Sequence, residues 1–290
     1  MAYDPYRQSF IIFAGCSSAQ SFDDTTQYYQ DTWEWQSSTR KWTQLFPATS
    51  PDYSNWRGST PPQMVTDSGR GKLLLFGVAV SNNSTAVWEW DGATTTWTNR
   101  TPAPGSVIPK FYDPKTNSSD ATTAVTFDDA RQKLFVFAGQ SQWQGTSSNS
   151  VFWEWDPVSA GWAFRDSGDL INISYSSGVA YDSLRRRQVL LTADSTPSGS
   201  TLALDTWELD PKGPTWYLRT FPGDSAGGGY WPMAFDSKRG VMVLFCTPAD
   251  GSTDVTETWE YKVTNLGDGE GCTAAMAKTC ASGFCVDGVC

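Results

Sequence analysis

The stretch Val151-Phe152-Trp153-Glu154-Trp155-Asp156-Pro157-Val158-Ser159-Ala160-Gly161-Trp162 decides the fold. It reads as a short aromatic strand, a tight polar turn and the start of a second strand. The same cassette returns along the chain: Trp-Glu followed by an aromatic residue or Leu stands at Trp33, Trp88, Trp153, Trp207 and Trp259. Nine residues beyond the first four stands another tryptophan, at Trp42, Trp97, Trp162 and Trp216. The fifth copy departs from this, with Asp268 in that place. Successive first tryptophans are 55, 65, 54 and 52 residues apart, a period that marks a repeat architecture with one supersecondary unit per copy.

The other half of each unit lies upstream. An apolar pair and an Asp are followed three residues later by Arg, giving Asp4 and Arg7, Asp67 and Arg70, Asp128 and Arg131, Asp182 and Arg185, and Asp236 and Arg239. Nine residues after each Asp, an apolar run closes on Phe13, Phe76, Phe137, Leu191 or Phe245. In the third copy the four strands A to D fall at 124–127, 133–137, 151–155 and 161–165. The period is two within strands, and no window supports a long amphipathic helix. Four antiparallel strands per unit, repeated about an axis, make the blades of a β-propeller, which leaves only short protected edges.

Phe13-Ala14-Gly15 and Phe137-Ala138-Gly139, then Trp153-Glu154-Trp155-Asp156-Pro157 and Trp162, resemble the Kelch repeat in its divergent bacterial form, over roughly residues 1–262. The double glycine that usually ends strand B is a single Gly in three copies and becomes Thr192-Ala193 and Cys246-Thr247 in the last two. The resemblance implies an all-β, Kelch-type propeller over 1–267, with blades at approximately 1–51, 60–105, 122–169, 176–224 and 230–267, the last lacking strand D. These blades either close as a five-bladed ring or form part of a six- to seven-bladed one. Met1-Ala2-Tyr3-Asp4 matches the internal Met233-Ala234-Phe235-Asp236, so the chain reads as a segment whose beginning lies upstream. An incomplete ring would expose an apolar blade face and an unpaired edge, and the segment alone is expected to associate.

Repetition separates packing from function. A residue present in every blade is placed by blade packing, so the five Asp, the five Arg, the five Glu and the paired Trp are expected to be structural. Glu and Arg would form a repeated inter-strand ion pair. The A–B turns and the first four C–D turns keep constant length. The B–C and D–A connections, at the other end of the blades, vary: first Trp follows Asp by 29, 21, 25, 25 and 23 residues, and the next Asp follows second Trp by 25, 31, 20 and 20. Variable loops on a rigid scaffold are where binding resides. These connections carry the candidate ligand-binding residues Tyr28, Tyr29, Tyr53, Trp56, Arg57, Tyr112, Trp143 and Trp231, with Phe111 and Tyr230 beside them. Aromatics among Ser, Thr, Asn and Gly suit sugar stacking or a protein surface; packing down the loops is the competing role.

The chemistry is bounded by what is missing. There is no histidine, which removes Ser-His-Asp and Cys-His catalysis and every His-ligated metal site, and with them an enzyme of the galactose-oxidase kind. Asp91-Gly92-Ala93-Thr94-Thr95-Thr96-Trp97 faintly resembles the Asp-box of sialidases, but Glu89 stands where its Ser should be, so it is read as a C–D turn. The stretch Asp113 to Asp120 lacks the Gly and closing Glu of an EF-hand loop; no metal or cofactor is expected. Paired carboxylates remain, since glycoside hydrolysis needs two of them, and Asp23, Asp24, Asp113, Asp120 and Asp254 lie in the variable connections. A formal charge of −10 gives no basic footprint for nucleic acid, and no apolar run reaches the roughly 18 residues of a spanning helix.

After Tyr261 the sequence turns Gly-rich and then carries Cys272, Cys280, Cys285 and Cys290. Without paired C-x-x-C knuckles or histidine these read as disulfide cysteines of an oxidising compartment, in a tail over 268–290. Three pairings are possible. Thr279 to Cys290 resembles the start of a cysteine-rich module found in large secreted or surface proteins of myxobacteria and their relatives. The expectation is therefore a secreted or cell-surface, non-catalytic module that binds protein or glycan through its variable face or serves as a scaffold. The alternative is a polysaccharide-active enzyme using two connection carboxylates.

Overall fold

Strands dominate because the repeat supplies β-branched and aromatic residues in short runs between fixed polar turns. A computed structural model describes residues 1–16, 28–52, 62–80, 84–102, 106–107, 109, 123–138, 141–143, 146–148, 151–166, 177–195, 202–209, 216–220, 232–246 and 257–262. Blade 1 is the sheet β1 (Ala2–Asp4), β2 (Ser9–Cys16), β3 (Tyr28–Gln36) and β4 (Lys41–Leu45), in that order. Blade 2 repeats it with β5 (Gln63–Asp67), β6 (Lys72–Val80), β7 (Ser84–Asp91) and β8 (Thr96–Asn99).

Blade 3 is β9 (Thr123–Asp128), β10 (Lys133–Ala138), β13 (Val151–Trp155) and β14 (Trp162–Asp166). Between its second and third strands stands a two-stranded ribbon, β11 (Ser141–Trp143) and β12 (Thr146–Ser148). Blade 4 is β15 (Ser177–Asp182), β16 (Arg187–Ser195), β17 (Leu202–Leu209) and β18 (Trp216–Thr220). Blade 5 has three strands among the described residues: β19 (Met233–Asp236), β20 (Val241–Cys246) and β21 (Glu257–Tyr261). All described pairings are antiparallel. The fold is thus the all-β propeller class, with five blades.

The chain divides into two compact units, Met1–Phe127 with Gln132–Arg165, and Asp128–Arg131 with Asp166–Cys290. In the first, each blade buries both faces where it has neighbours. Leu73, Leu75, Trp88, Trp90 and Trp97 of blade 2 pack with Ala2, Ile11 and Phe13 of blade 1. Leu74, Phe76 and Val87, on the opposite face, pack with Val125, Leu134, Trp153 and Trp155 of blade 3. The continuous apolar run at 73–76 is what a strand buried on both faces requires. In the second unit Ala180 and Val189 of blade 4 pack with Met242 of blade 5, flanked by Phe235 and Tyr261.

The turns repeat to the residue. The fourth position after each A-strand Asp has a left-handed φ between +52° and +65° in Gln8, Gly71, Gln132, Arg186 and Gly240. Glycine occupies only two of the five, so the turn is held by its hydrogen bonds rather than by glycine's freedom. At the glycines late in strand B, Gly15 and Gly77, φ is +151° and +105° and the register to strand C shifts. Thr192-Ala193 in blade 4 runs through without a shift, whereas in blade 1 Ala14, at φ +65°, takes part in the bulge although it carries a Cβ.

Candidate functional site

At the A–B end the recurring charged residues form one repeated device. The Asp that ends strand A accepts the backbone N–H groups of the turn: Asp4 Oδ1 from Tyr6 (2.9 Å) and Arg7 (3.1 Å), and Asp182 Oδ1 from Leu184 and Arg185 (both 3.0 Å). The Arg then reaches the Glu of strand C. Arg7 grips Glu34 through Nε and a terminal nitrogen at 2.9 and 2.8 Å, Arg70 meets Glu89 at 2.6 Å, Arg185 meets Glu208 at 2.5 Å, and Arg239 pairs with Glu260. In blade 3 Glu154 receives Arg165 from strand D at 3.0 Å. The bond to Arg7 holds the Glu34 carboxyl below its ordinary value and raises the Arg7 guanidinium. At Arg185 burial opposes the charge, but Glu208 and Asp182 outweigh it and the guanidinium is raised.

A second layer of pairs locks the C–D turns. Lys72 bonds Asp91 at 2.6 Å and Lys133 bonds Asp156 at 2.5 Å, lowering both carboxyls. Asp91 also accepts from Ala93 N–H at 3.0 Å, so the stretch with the faint Asp-box likeness is a turn, as expected. Burial, then Asp128, pushes the Tyr181 phenol up; its oxygen accepts the Ala130 N–H at 3.2 Å.

Single bonds between blades are what the repeat did not reveal. Trp90 Nε1 donates to the buried Asp4 Oδ2 at 2.9 Å, and Trp97 Nε1 to Thr32 Oγ1 at 3.0 Å. Val125 N–H donates to Gln63 Oε1 at 3.1 Å, and Arg100 to the Pro157 carbonyl at 2.8 Å. A Cβ on Gly92 would lie 2.1 Å from Asp4 Oδ2. Gly92 is thus glycine because the neighbouring blade's carboxylate occupies that space.

The end with the B–C and D–A connections is the candidate site. Tyr28 and Tyr29 open strand C of blade 1 opposite Cys16 and Gly15, and the Tyr29 side chain is exposed. Next to them Ser50 donates to the Gln30 carbonyl at 2.9 Å, Gln30 Nε2 reaches Asp52 at 3.4 Å, and Asp31 accepts Trp33 Nε1 at 2.6 Å. This folds the following connection back onto the head of strand C. Trp143 ends β11 and pairs with Thr146, so it flanks the tip of the ribbon inserted in blade 3's B–C connection. Tyr53, Trp56, Arg57, Tyr112 and Trp231 lie outside the described residues, as do Asp23, Asp24, Asp113, Asp120 and Asp254 and the tail cysteines Cys272, Cys280, Cys285 and Cys290. Among the described residues no group of three or more Cys, Asp or Glu is arranged to hold a metal ion, and no helix is long and apolar enough to cross a membrane.

The class that the fold defines is a five-bladed β-propeller whose A–B turns carry a repeated Asp, Arg and Glu device. No protein-family model and no curated protein matches the sequence. Among solved structures the chain is similar to one titled "Hadza microbial sialidase Hz136" (TM-score 0.47, 14% identity, 69% of this chain and 44% of that one). It is also similar to one titled "Structure of YjhT" (TM-score 0.46, 10% identity, 87% and 81%). The chain thus spans less than half of the first, and neither likeness assigns a role to a residue. The expectation of a non-enzyme is corrected at this point. A structure titled a sialidase stands among the similar ones, and a glycosidase needs carboxylates rather than the histidine whose absence had counted against catalysis.

Proposed function

We propose that the protein is a carbohydrate-directed propeller that holds a glycan at its variable end and cleaves it with two carboxylates of the B–C and D–A connections. The observation that carries the reading is the partition of its carboxylates. All five strand-C Glu, and the strand-A Asp with them, are engaged in turn bonds and arginine pairs at the A–B end. The candidate acidic residues of the connections stand outside that repeated cassette, in a chain with no histidine for other acid–base chemistry. Exposed Tyr29 supplies a π-face of the kind sugars stack on.

The same reading includes Kelch-type blades, export from the cell, and disulfides among Cys272, Cys280, Cys285 and Cys290. A panel of chromogenic glycosides and polysaccharides tests the activity. Turnover should appear on at least one substrate and vanish when Asp23, Asp24, Asp113, Asp120 and Asp254 are replaced in turn by Asn until the pair is found. Turnover that survives removal of all five, or none on a panel that a glycan array shows the protein to bind, would refute the catalytic assignment. Intact-mass analysis without reduction should show the four tail thiols oxidised in exported protein; four free thiols would contradict export.

A further inference from the structure

The first tryptophan of the strand-C cassette places its indole N–H differently from blade to blade. Trp33 donates to Asp31, two residues ahead of it, at 2.6 Å, and Trp207 to Thr192, on strand B, at 3.3 Å. Blade 2 has Ala86 and Gly77 at those two places, and neither side chain offers an acceptor. Trp88 Nε1 is buried and has no hydrogen-bond partner among the described residues, and the same holds for Thr101 Oγ1. A buried polar atom left unpaired is costly, and two of them at one place call for a partner.

The two atoms do share one place. Asn99 pairs with Trp88, and the Arg100 N–H reaches the Val87 carbonyl at 2.8 Å, which carries the ladder one step further. Thr101 therefore stands beside Ala86, on the face that bears Trp88 and packs on blade 1. Arg100 belongs to the opposite face, where it donates to the Pro157 carbonyl of blade 3. Asn99 is exposed, so the two atoms lie just beneath the surface. Blade 2 also joins its strands B and C by residues 81–83 alone, where its neighbours use 17–27 and 139–150, so it has the least chain to cover its head. On the blade 1 side of this junction Phe13 and Thr32 hold Trp97. In the next row of the same face Gly15 pairs with Tyr29, whose side chain is exposed; a Cβ on Gly15 would meet nothing within 4 Å.

Resting on the glycan reading above, we propose that this place is a subsite for a neutral sugar. A hydroxyl of the glycan accepts the Trp88 indole N–H and donates to Thr101 Oγ1, while the sugar ring lies against Tyr29. A hydroxyl satisfies both atoms because it accepts and donates at once. A carboxylate would bring a charge into a buried place where no guanidinium among the described residues pairs with it. The subsite therefore selects neutral hexoses over uronic and sialic acids, as a site built around a hydroxyl rejects an analogue that cannot replace it.

A proton–nitrogen correlation spectrum of protein carrying isotope-labelled tryptophan reads the Trp88 indole N–H directly, its resonance assigned by its loss in Trp88→Phe. Cellotetraose, maltotetraose and mannotetraose are the neutral probes, and tetragalacturonate and sialyllactose the acidic ones. At least one neutral probe should shift that resonance. Thr101→Val should weaken its binding about tenfold, the loss of one hydrogen bond, with the melting midpoint of the sugar-free protein unchanged. A neutral probe that moves other indoles while Trp88 stays still, or binding of the acidic probes alone, would overturn the subsite and leave the glycan reading standing. So would a Thr101→Val variant with a lowered midpoint and unchanged affinity, because the two atoms would then bridge an internal water. If neither these probes nor any member of a glycan array binds, the glycan reading itself falls, and the subsite with it.

Discussion

The Arg–Glu device occurs with the same chemistry at very different burial, which makes its energetics testable inside one molecule. In blade 4 the Glu208 side chain is 1% exposed and faces Arg185 at 2.5 Å and Arg187 at 3.5 Å, while Asp182 binds Arg185 at 2.6 Å. Among the described residues these two guanidiniums and two carboxylates sum to zero, so Glu208→Gln takes one negative charge from the interior and leaves the guanidiniums in excess. Removing one partner of a buried pair costs about 3–5 kcal/mol, equivalent to roughly 6–20 °C in midpoint at about 2–4 °C per kcal/mol. In blade 5 the Glu260 side chain is 47% exposed, and Glu260→Gln leaves Arg239 paired with Asp236 at 2.6 Å in solvent. Exposed pairs contribute little, and that variant should melt with the parent. Adding Arg187→Met to Glu208→Gln removes the surplus charge and should recover part of the loss. Thermal unfolding by near-ultraviolet circular dichroism is the assay. Equal losses at Glu208 and Glu260, or no recovery in the double variant, would show that burial does not set the weight of the pair.

Three further outcomes are expected. Gly92→Ala should push Asp4 off Trp90 and leave a buried indole N–H unpaired, at about 1–3 kcal/mol; an unchanged urea midpoint would mean the junction adapts at no cost. Trp153→Ala, in the core between blades 2 and 3, should lose about 3–5 kcal/mol, whereas Trp56→Ala and Trp143→Ala should abolish glycan binding with the melting midpoint kept; a comparable midpoint loss in all three would make the connection aromatics mere packing. Stability should also depend on pH at both ends. Glu34, Asp91 and Asp156 have lowered folded-state values, so their contribution is complete above the ordinary carboxylate value of about 4 and lost as pH falls below it. Tyr181 has a raised one, so its contribution is complete below about pH 10 and lost as pH climbs above that. A urea midpoint flat from neutral pH to well below 4 would contradict the carboxylate part, and ionisation of Tyr181 together with the exposed tyrosines would contradict the other.

Much of the fold was legible because the same physical problem is solved five times. The strands expected at 124–127, 133–137, 151–155 and 161–165 lie within a residue or so of β9, β10, β13 and β14. The Arg–Glu pairing was legible for the same reason, since two charges fixed at constant offsets in every copy must meet. Glu154 shows how far such reasoning goes. Strand D adds Arg165 to it, at a place three residues after the second Trp that Arg100 and Arg219 also take in blades 2 and 4, a second repeated basic position that the reading of the cassette passed over.

The candidate site was less legible for the same reason. Residues that serve one blade are not reinforced by repetition, so the ribbon carrying Trp143 looked in sequence like any long connection. The pairing of Ser141 with Ser148 and Trp143 with Thr146 makes that length a two-stranded ribbon. Equivalent residues also do not share an environment. Trp42 and Trp97 hold the same place in the cassette, nine residues after Trp33 and Trp88, and nothing local distinguishes them. One is 49% exposed and the other 3% because Phe13 and Thr32 of the preceding blade cover only the second. A periodic pattern specifies what each blade offers to its neighbours; whether the offer is taken depends on the blade next to it.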